Sequence, residues 1–309
     1  MTRGTDAVRR PVVIVPGFAG SNLWRGNEQI WPVPRMVLPH PEVLRVNEPL
    51  EAKGLVRRVV LVPHLLEWDQ YCFLLDYLKD SLGYTTDDDL LEFGYDFRQD
   101  NQASAEHLAA AIEGWDVRTP ITIVAHSMGC LVARYYIERL GGKNRVERVI
   151  LLGGPHSGAP YAATSLLNGP NLLPLGLMNG RFREVLAGYP SWYQILPLDL
   201  LSDESWLPEA QRPLLRRARA FRLDLGHQSS VPAVCVFGYG FKTIASVTMR
   251  RDARRSKRAA DFVFTGGDGM IPEASAVMEG AQTHAVRQRH ASLWMDADVK
   301  TRLKLELLR

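Results

Sequence analysis

Five short runs rich in Val, Ile and Leu punctuate the chain: Val12–Val15, Leu90–Phe93, Ile121–Ala125, Val149–Leu152 and Ala233–Phe237. Apolar strands that do not alternate with polar residues are buried on both faces, as in a parallel sheet whose crossovers lay helices on each side. The intervening segments fit such crossovers. Asn101 caps a helix expected to run through Glu113, and Met128–Leu140 repeats apolar residues at Leu131, Val132, Tyr135 and Tyr136 before Gly141-Gly142 stops it. The pattern predicts an α/β fold, with a mostly parallel central sheet and helices on both faces. At 309 residues the chain is long enough to bury one large core, and residues 1–309 read as a single domain.

Two segments break the alternation. Residues 21–63 carry Trp24, Trp31 and many prolines, and residues 158–231 are rich in Leu, Pro and Trp around LLNGPNLLPLGLM. Both read as cap or lid insertions, the usual character of long excursions in α/β enzymes. Trp24, Trp31, Leu172 and Leu173 either line a pocket for an apolar acyl chain or form the caps' own core.

A formal charge of +3 with 46% hydrophobic residues is ordinary for a globular chain and gives no sign of a nucleic-acid partner. Cys72, Cys130 and Cys235 are widely spaced and form no CxxC pair, so neither a zinc site nor a disulfide framework is expected. The apolar run before Pro16 is too short for a signal peptide, and no run reaches the roughly 18 residues of a membrane span. A cytoplasmic location follows as an expectation.

The run Ile121–Val124 leads into Ala125-His126-Ser127-Met128-Gly129 and then directly into a helix. This is the pattern of a nucleophile elbow, with Ala in the first small position. Small residues on either side allow a sharp strand-to-helix turn that holds Ser127 at the carboxyl end of the sheet, and the helix N-terminus favours developing negative charge. A serine nucleophile needs a base, and the base needs an orienting carboxylate, in the chain order Ser, Asp, His. Asp268, in Gly266-Gly267-Asp268-Gly269 after a strand at Phe262–Phe264, is the candidate acid, although Asp-Gly also favours a plain Asx turn. His290, on a loop before an amphipathic helix through Leu307, is the candidate base; His284 is the alternative, and His126 is assigned to the pocket floor or to local hydrogen bonding.

Acyl transfer through serine develops an oxyanion that backbone N–H groups must hold. Met128 follows the nucleophile and supplies one. The turn Pro16-Gly17-Phe18-Ala19-Gly20, which ends the first strand, supplies the other at Phe18.

Together these residues resemble the lecithin:cholesterol acyltransferase-like family of α/β-hydrolases. The matching stretches are VPGFAGSNLW with the following IWP, YDFR at Tyr95–Arg98, AHSMG, GGPHSGAP at Gly153–Pro160, PSWYQILP at Pro190–Pro197, and GDGMIPEASA leading to His290. The resemblance implies an α/β-hydrolase fold and acyl-serine chemistry on esters. It also implies a Ser127–Asp268–His290 triad and an oxyanion hole at Phe18 and Met128; no cofactor or metal is expected.

The function expected is a serine-dependent ester hydrolase or acyltransferase for apolar acyl esters. A biosynthetic tailoring thioesterase, acyltransferase or cyclase is the variant within the same chemistry, and a non-catalytic binding protein on the same scaffold is the rival. The basic stretch 249–258, MRRDARRSKR, is a candidate contact for a lipid headgroup or an acyl carrier, or else a solvated hairpin.

Overall fold

The structure is a computed structural model that describes residues 9–62, 66–170, 179–249 and 260–308. Thirteen strands lie among the described residues. They are β1 Val12–Val15, β2 Ser21–Arg25, β3 Glu28–Trp31, β4 Glu51–Leu55, β5 Arg58–Val62, β6 Leu66–Asp69, β7 Leu90–Glu92, β8 Ile121–His126, β9 Val146–Leu152, β10 Ala233–Gly238, β11 Phe241–Met249, β12 Ala260–Gly267 and β13 Gln282–Val286.

Six of them form the central sheet in the order β13-β10-β9-β8-β1-β7, with every neighbouring pair parallel. Alternate residues face opposite ways. Val13 and Val15 join Ile123, Ala125 and Leu151 in the core on one face, while Val12 and Ile14 join Val124, Ile150 and Leu152 on the other. Burial on both faces is why β1 and β10 read as unbroken apolar runs and β8 is interrupted only by buried Thr122 before its final His126. Each fully buried Val, Ile or Leu contributes about 1.5–3 kcal/mol.

Pairing of β1 with β8 sets Val15 opposite Ala125, so the turn after β1 and the elbow after β8 emerge side by side. The carboxyl ends of β9, β10 and β13 open on the same edge, where ligands of open α/β sheets bind.

Residues 21–62, the first insertion, contain the antiparallel sheet β3-β2-β4 and β5, which pairs with β6. The prolines among residues 21–62 fall outside these strands, where no ladder N–H is needed. The second insertion is helical where described, with helices at Tyr161–Asn168, Asn179–Leu186, Pro190–Gln194, Leu198–Ser202 and Arg212–Leu225. Its centre, including Leu172 and Leu173, lies outside the described residues, as does the basic stretch beyond Met249.

One helix start moves by a residue. The cap of Asn101–Gly114 is Asp100, whose side chain accepts the Gln102 N–H, while the Asn101 N–H goes to Gln194 Oε1 at 2.8 Å. Gln194 Nε2 also donates to Asp100 Oδ1, so the PSWYQILP stretch is bonded to this helix end.

Candidate active site

Ser127 closes β8 with a φ of 53°, a left-handed conformation unusual for a residue with a side chain, and its N–H donates to Leu152 O of the adjacent strand. The helix Gly129–Arg139 begins two residues later. Two glycines permit this packing. A methyl on Gly129 would collide with the Pro16 carbonyl, and one on Gly17 would lie 2.8 Å from the Ser127 Cβ.

The Ser127 hydroxyl lies 2.8 Å from His290 Nε2, and His290 Nδ1 lies 2.7 Å from Asp268 Oδ2. A carboxylate only accepts, so Nδ1 carries the proton and Nε2 faces the serine as an acceptor. All three residues are buried. Asp268 forms an Asx turn as well as the contact with His290. Its Oδ1 accepts the Met270 and Ile271 N–H groups at 2.9 and 2.7 Å in an Asx turn, which leaves Oδ2 for the imidazole. His284 lies instead within the edge strand β13, paired with Val236.

The turn after β1 is held on three sides. Tyr95 Oη donates to Pro16 O at 2.9 Å, the Gly17 N–H donates to Tyr71 Oη at 2.8 Å, and Trp31 Nε1 donates to Ala19 O at 2.8 Å. Trp31 thus supports the turn. The Phe18 ring is clamped edge-on by Phe97 and Trp192 at centroid separations of 4.9 and 4.5 Å. Neither the Phe18 nor the Met128 N–H finds an acceptor among the described residues. Trp24 is half-buried on β2, 5.9 Å from Lys53 Nζ.

The YDFR stretch has a structural reading. Besides Tyr95, it supplies Arg98, whose buried guanidinium pairs with Asp96 and donates to Arg45 O and Glu48 O at 2.6 and 3.0 Å. In GGPHSGAP, the His156 N–H donates to Ser275 O, and Ser275 Oγ donates to Gly158 O, which ties this loop to the segment after Asp268. His156 itself is buried, and its carbonyl accepts from Arg222. Burial, and then the charge of Arg134, brings Arg222 down to about 10.

His126 is 5% exposed, and both of its ring nitrogens have protein partners: Nδ1 lies 2.8 Å from Tyr71 Oη and Nε2 lies 3.2 Å from His290 O. Tyr71 was not singled out in the sequence. A tyrosine in DQYCFLL carries no motif, and its role appears only once the fold brings residue 71 beneath the turn.

A hollow of about 560 Å³ bordered by Gln228–Ala233 and Met278–Ala281 lies at the start of β10, the sheet end opposite Ser127. Among the described residues, no cluster of His, Cys, Asp and Glu could hold a metal ion, and no helix is long and apolar enough to cross a membrane.

The family model described as lecithin:cholesterol acyltransferase matches residues 67–218. Lecithin-cholesterol acyltransferase-like 4 of Arabidopsis thaliana is 25% identical over 227 residues, which cover 62% of this chain and 42% of that protein. The chain therefore spans less than half the length of that curated relative. Among solved structures, the Tle4–Tli4 complex contains a chain 13% identical with a TM-score of 0.61, with 97% of this chain and 98% of that one covered. The mature form of the Bacillus licheniformis lipase BlEst2 is 15% identical with a TM-score of 0.48, covering 100% of this chain and 95% of that one.

Proposed function

We propose that this chain, which matches the lecithin:cholesterol acyltransferase family model over residues 67–218, is a serine-dependent ester hydrolase or acyltransferase for apolar acyl esters. The observation that carries this reading is the unbroken line from Asp268 Oδ2 through His290 to the Ser127 hydroxyl, with hydrogen bonds of 2.7 and 2.8 Å. Ser127 Oγ attacks the ester carbonyl as His290 Nε2 takes its proton, and Asp268 stabilises the imidazolium that forms. The oxyanion is received by the Phe18 and Met128 N–H groups. His290 then protonates the departing alcohol, and water or a second alcohol resolves the acyl-Ser127 intermediate by the reverse sequence.

The aromatic residues around Phe18 suit an apolar acyl group, and thioesters of a carrier or small molecule are the variant substrate class. The basic stretch 249–258 remains the candidate contact for a lipid headgroup or acyl carrier. Cys72, Cys130 and Cys235, read as reduced thiols, suit a reducing, cytoplasmic setting.

The test is labelling with a fluorophosphonate probe, together with turnover of p-nitrophenyl esters of graded chain length, with and without alcohol acceptors. Wild-type protein is expected to label and turn over, and Ser127→Ala to lose both, with a rate loss on the order of 10⁶-fold. A wild-type chain that neither labels nor hydrolyses any ester would establish the binding-protein reading instead.

A further inference from the structure

Resting on that reading, we infer that Tyr71 and His126 form a buried positioning relay that sets the oxyanion turn and the base loop against each other.

Hydrogen-bond chemistry fixes the direction of the relay. His290 O is a carbonyl and only accepts, so His126 Nε2 at 3.2 Å is the donor. In a neutral imidazole the other nitrogen is then an acceptor, so Tyr71 donates its hydroxyl proton to Nδ1 across 2.8 Å. The tyrosine oxygen, with its proton committed, accepts the Gly17 N–H at 2.8 Å. The chain therefore runs Gly17 N–H to Tyr71, Tyr71 O–H to His126, and His126 Nε2–H to the backbone of His290. Each group uses the one role open to it. Gly17 precedes Phe18, the proposed oxyanion donor, and the far end of the relay holds the carbonyl of the base itself.

The rings are fixed by packing as well as by hydrogen bonds. Trp294 stacks on Tyr71 at 5.0 Å and meets His126 edge-on at 4.8 Å, and Tyr71 is fully buried. The relay also requires a neutral His126. A protonated ring would turn Nδ1 into a donor facing the tyrosine and would set a cation against His290, whose ring centroid is 4.9 Å away. Burial is the main cause that keeps the His126 proton off, and His290 is the second. His126 is thus a neighbour that offers no competing charge when His290 becomes an imidazolium.

The test uses p-nitrophenyl butyrate kinetics, with active sites counted by fluorophosphonate labelling so that rates refer to folded enzyme only. Tyr71→Phe keeps the ring and its stacking and removes the relay. Its kcat is expected to fall about 10- to 100-fold, the scale of a misaligned oxyanion donor, with KM within about twofold because the acyl-binding contacts are untouched. His126→Gln replaces imidazole by an amide with one acceptor and one donor and is expected to keep kcat within about fivefold of wild type, whereas His126→Leu falls with Tyr71→Phe. A purely structural role predicts instead that Gln and Leu lower the titratable fraction alike and leave kcat per site unchanged. That result, or a full kcat in folded Tyr71→Phe, overturns the relay. Should Tyr71→Phe not fold, the Gln and Leu pair still decides. A wild type that turns over while Ser127→Ala does not upholds the serine reading whatever the relay variants do, and an inert wild type overturns both.

Discussion

Asp268 and His290 are joined twice: the Asp268 side chain accepts the imidazole Nδ1–H at 2.7 Å, and the Asp268 main-chain carbonyl accepts the His290 N–H at 3.0 Å. The second bond does not depend on the carboxylate. Removing the charge should therefore leave the loop in place and change only the chemistry.

Asp268→Asn is expected to fold normally, because an amide oxygen still accepts the Met270 and Ile271 N–H groups. Its NH2 group would face Nδ1 and favour the opposite tautomer, turning an N–H toward Ser127 and removing the base. A fall in kcat of about 10⁴-fold is expected. Ester turnover within tenfold of wild type would show that the carboxylate does not orient the base.

Gly17→Ala tests the turn. The added methyl would lie 2.8 Å from Ser127 Cβ and 3.1 Å from His126 Nδ1, both in the buried site, so the backbone must retreat and carry the Phe18 N–H with it. The expected loss is about 10²- to 10³-fold in kcat, that of removing an oxyanion donor. Unchanged kcat with a folded protein would place the oxyanion donor elsewhere.

Arg98→Met tests the YDFR stretch as structure. It leaves Asp96 without its cation and the Arg45 and Glu48 carbonyls without a donor. Breaking a buried pair on one side costs about 3–5 kcal/mol, readable as a shift of the urea midpoint. A cost below about 1 kcal/mol would mean that water replaces the guanidinium freely.

Two buried histidines set an acid limit on stability. Burial and then His290 hold His126 well below the usual imidazole range, and burial with Arg134 and Arg222 does the same for His156. Once the pH falls below the unfolded value of about 6.5, the unfolded chain binds protons that the folded chain does not, so stability present above that pH is lost as it drops. Each histidine contributes about 1.4 kcal/mol per pH unit, and the two together about 2.7. Urea denaturation between pH 6 and 5 should show this slope, and His156→Gln should lower it by about 1.4 kcal/mol per unit. An unchanged slope in the variant would mean that His156 is protonated in the fold.

Much of this was legible in the sequence because it is local. Val12–Val15 reads as a strand and is one, and the strand expected at Ile121–Ala125 runs one residue further, to His126. Ser127 is marked by its own neighbours, since a left-handed residue between a strand and a helix needs small residues beside it. Asp268 is similarly marked by its glycines. The rest depends on partners distant in the chain. Nothing near Tyr71 announces that it will accept from Gly17, 54 residues away. Nor does anything near Trp31 announce that its indole N–H will go to Ala19 O, 12 residues back. The small sheet β3-β2-β4 was not legible because its short strands pair with one another outside the central sheet and carry no continuous apolar run.

The parallel sheet has a consequence for how reactivity arises. Ser127 and His290 are 163 residues apart in the chain, and neighbouring strands of the sheet join only through crossovers. Asp268 and His290 are only 22 residues apart, but no local segment brings Ser127 to them, and long-range parallel pairing is slow to form. On dilution from denaturant, the helical circular dichroism signal should return early, from local crossovers such as Asn101–Gly114 and Gly129–Arg139. Labelling of Ser127 should lag behind it until β13 has docked on β10. If Ser127 reacts as proposed, its labelling is therefore a clock that starts only when folding is complete.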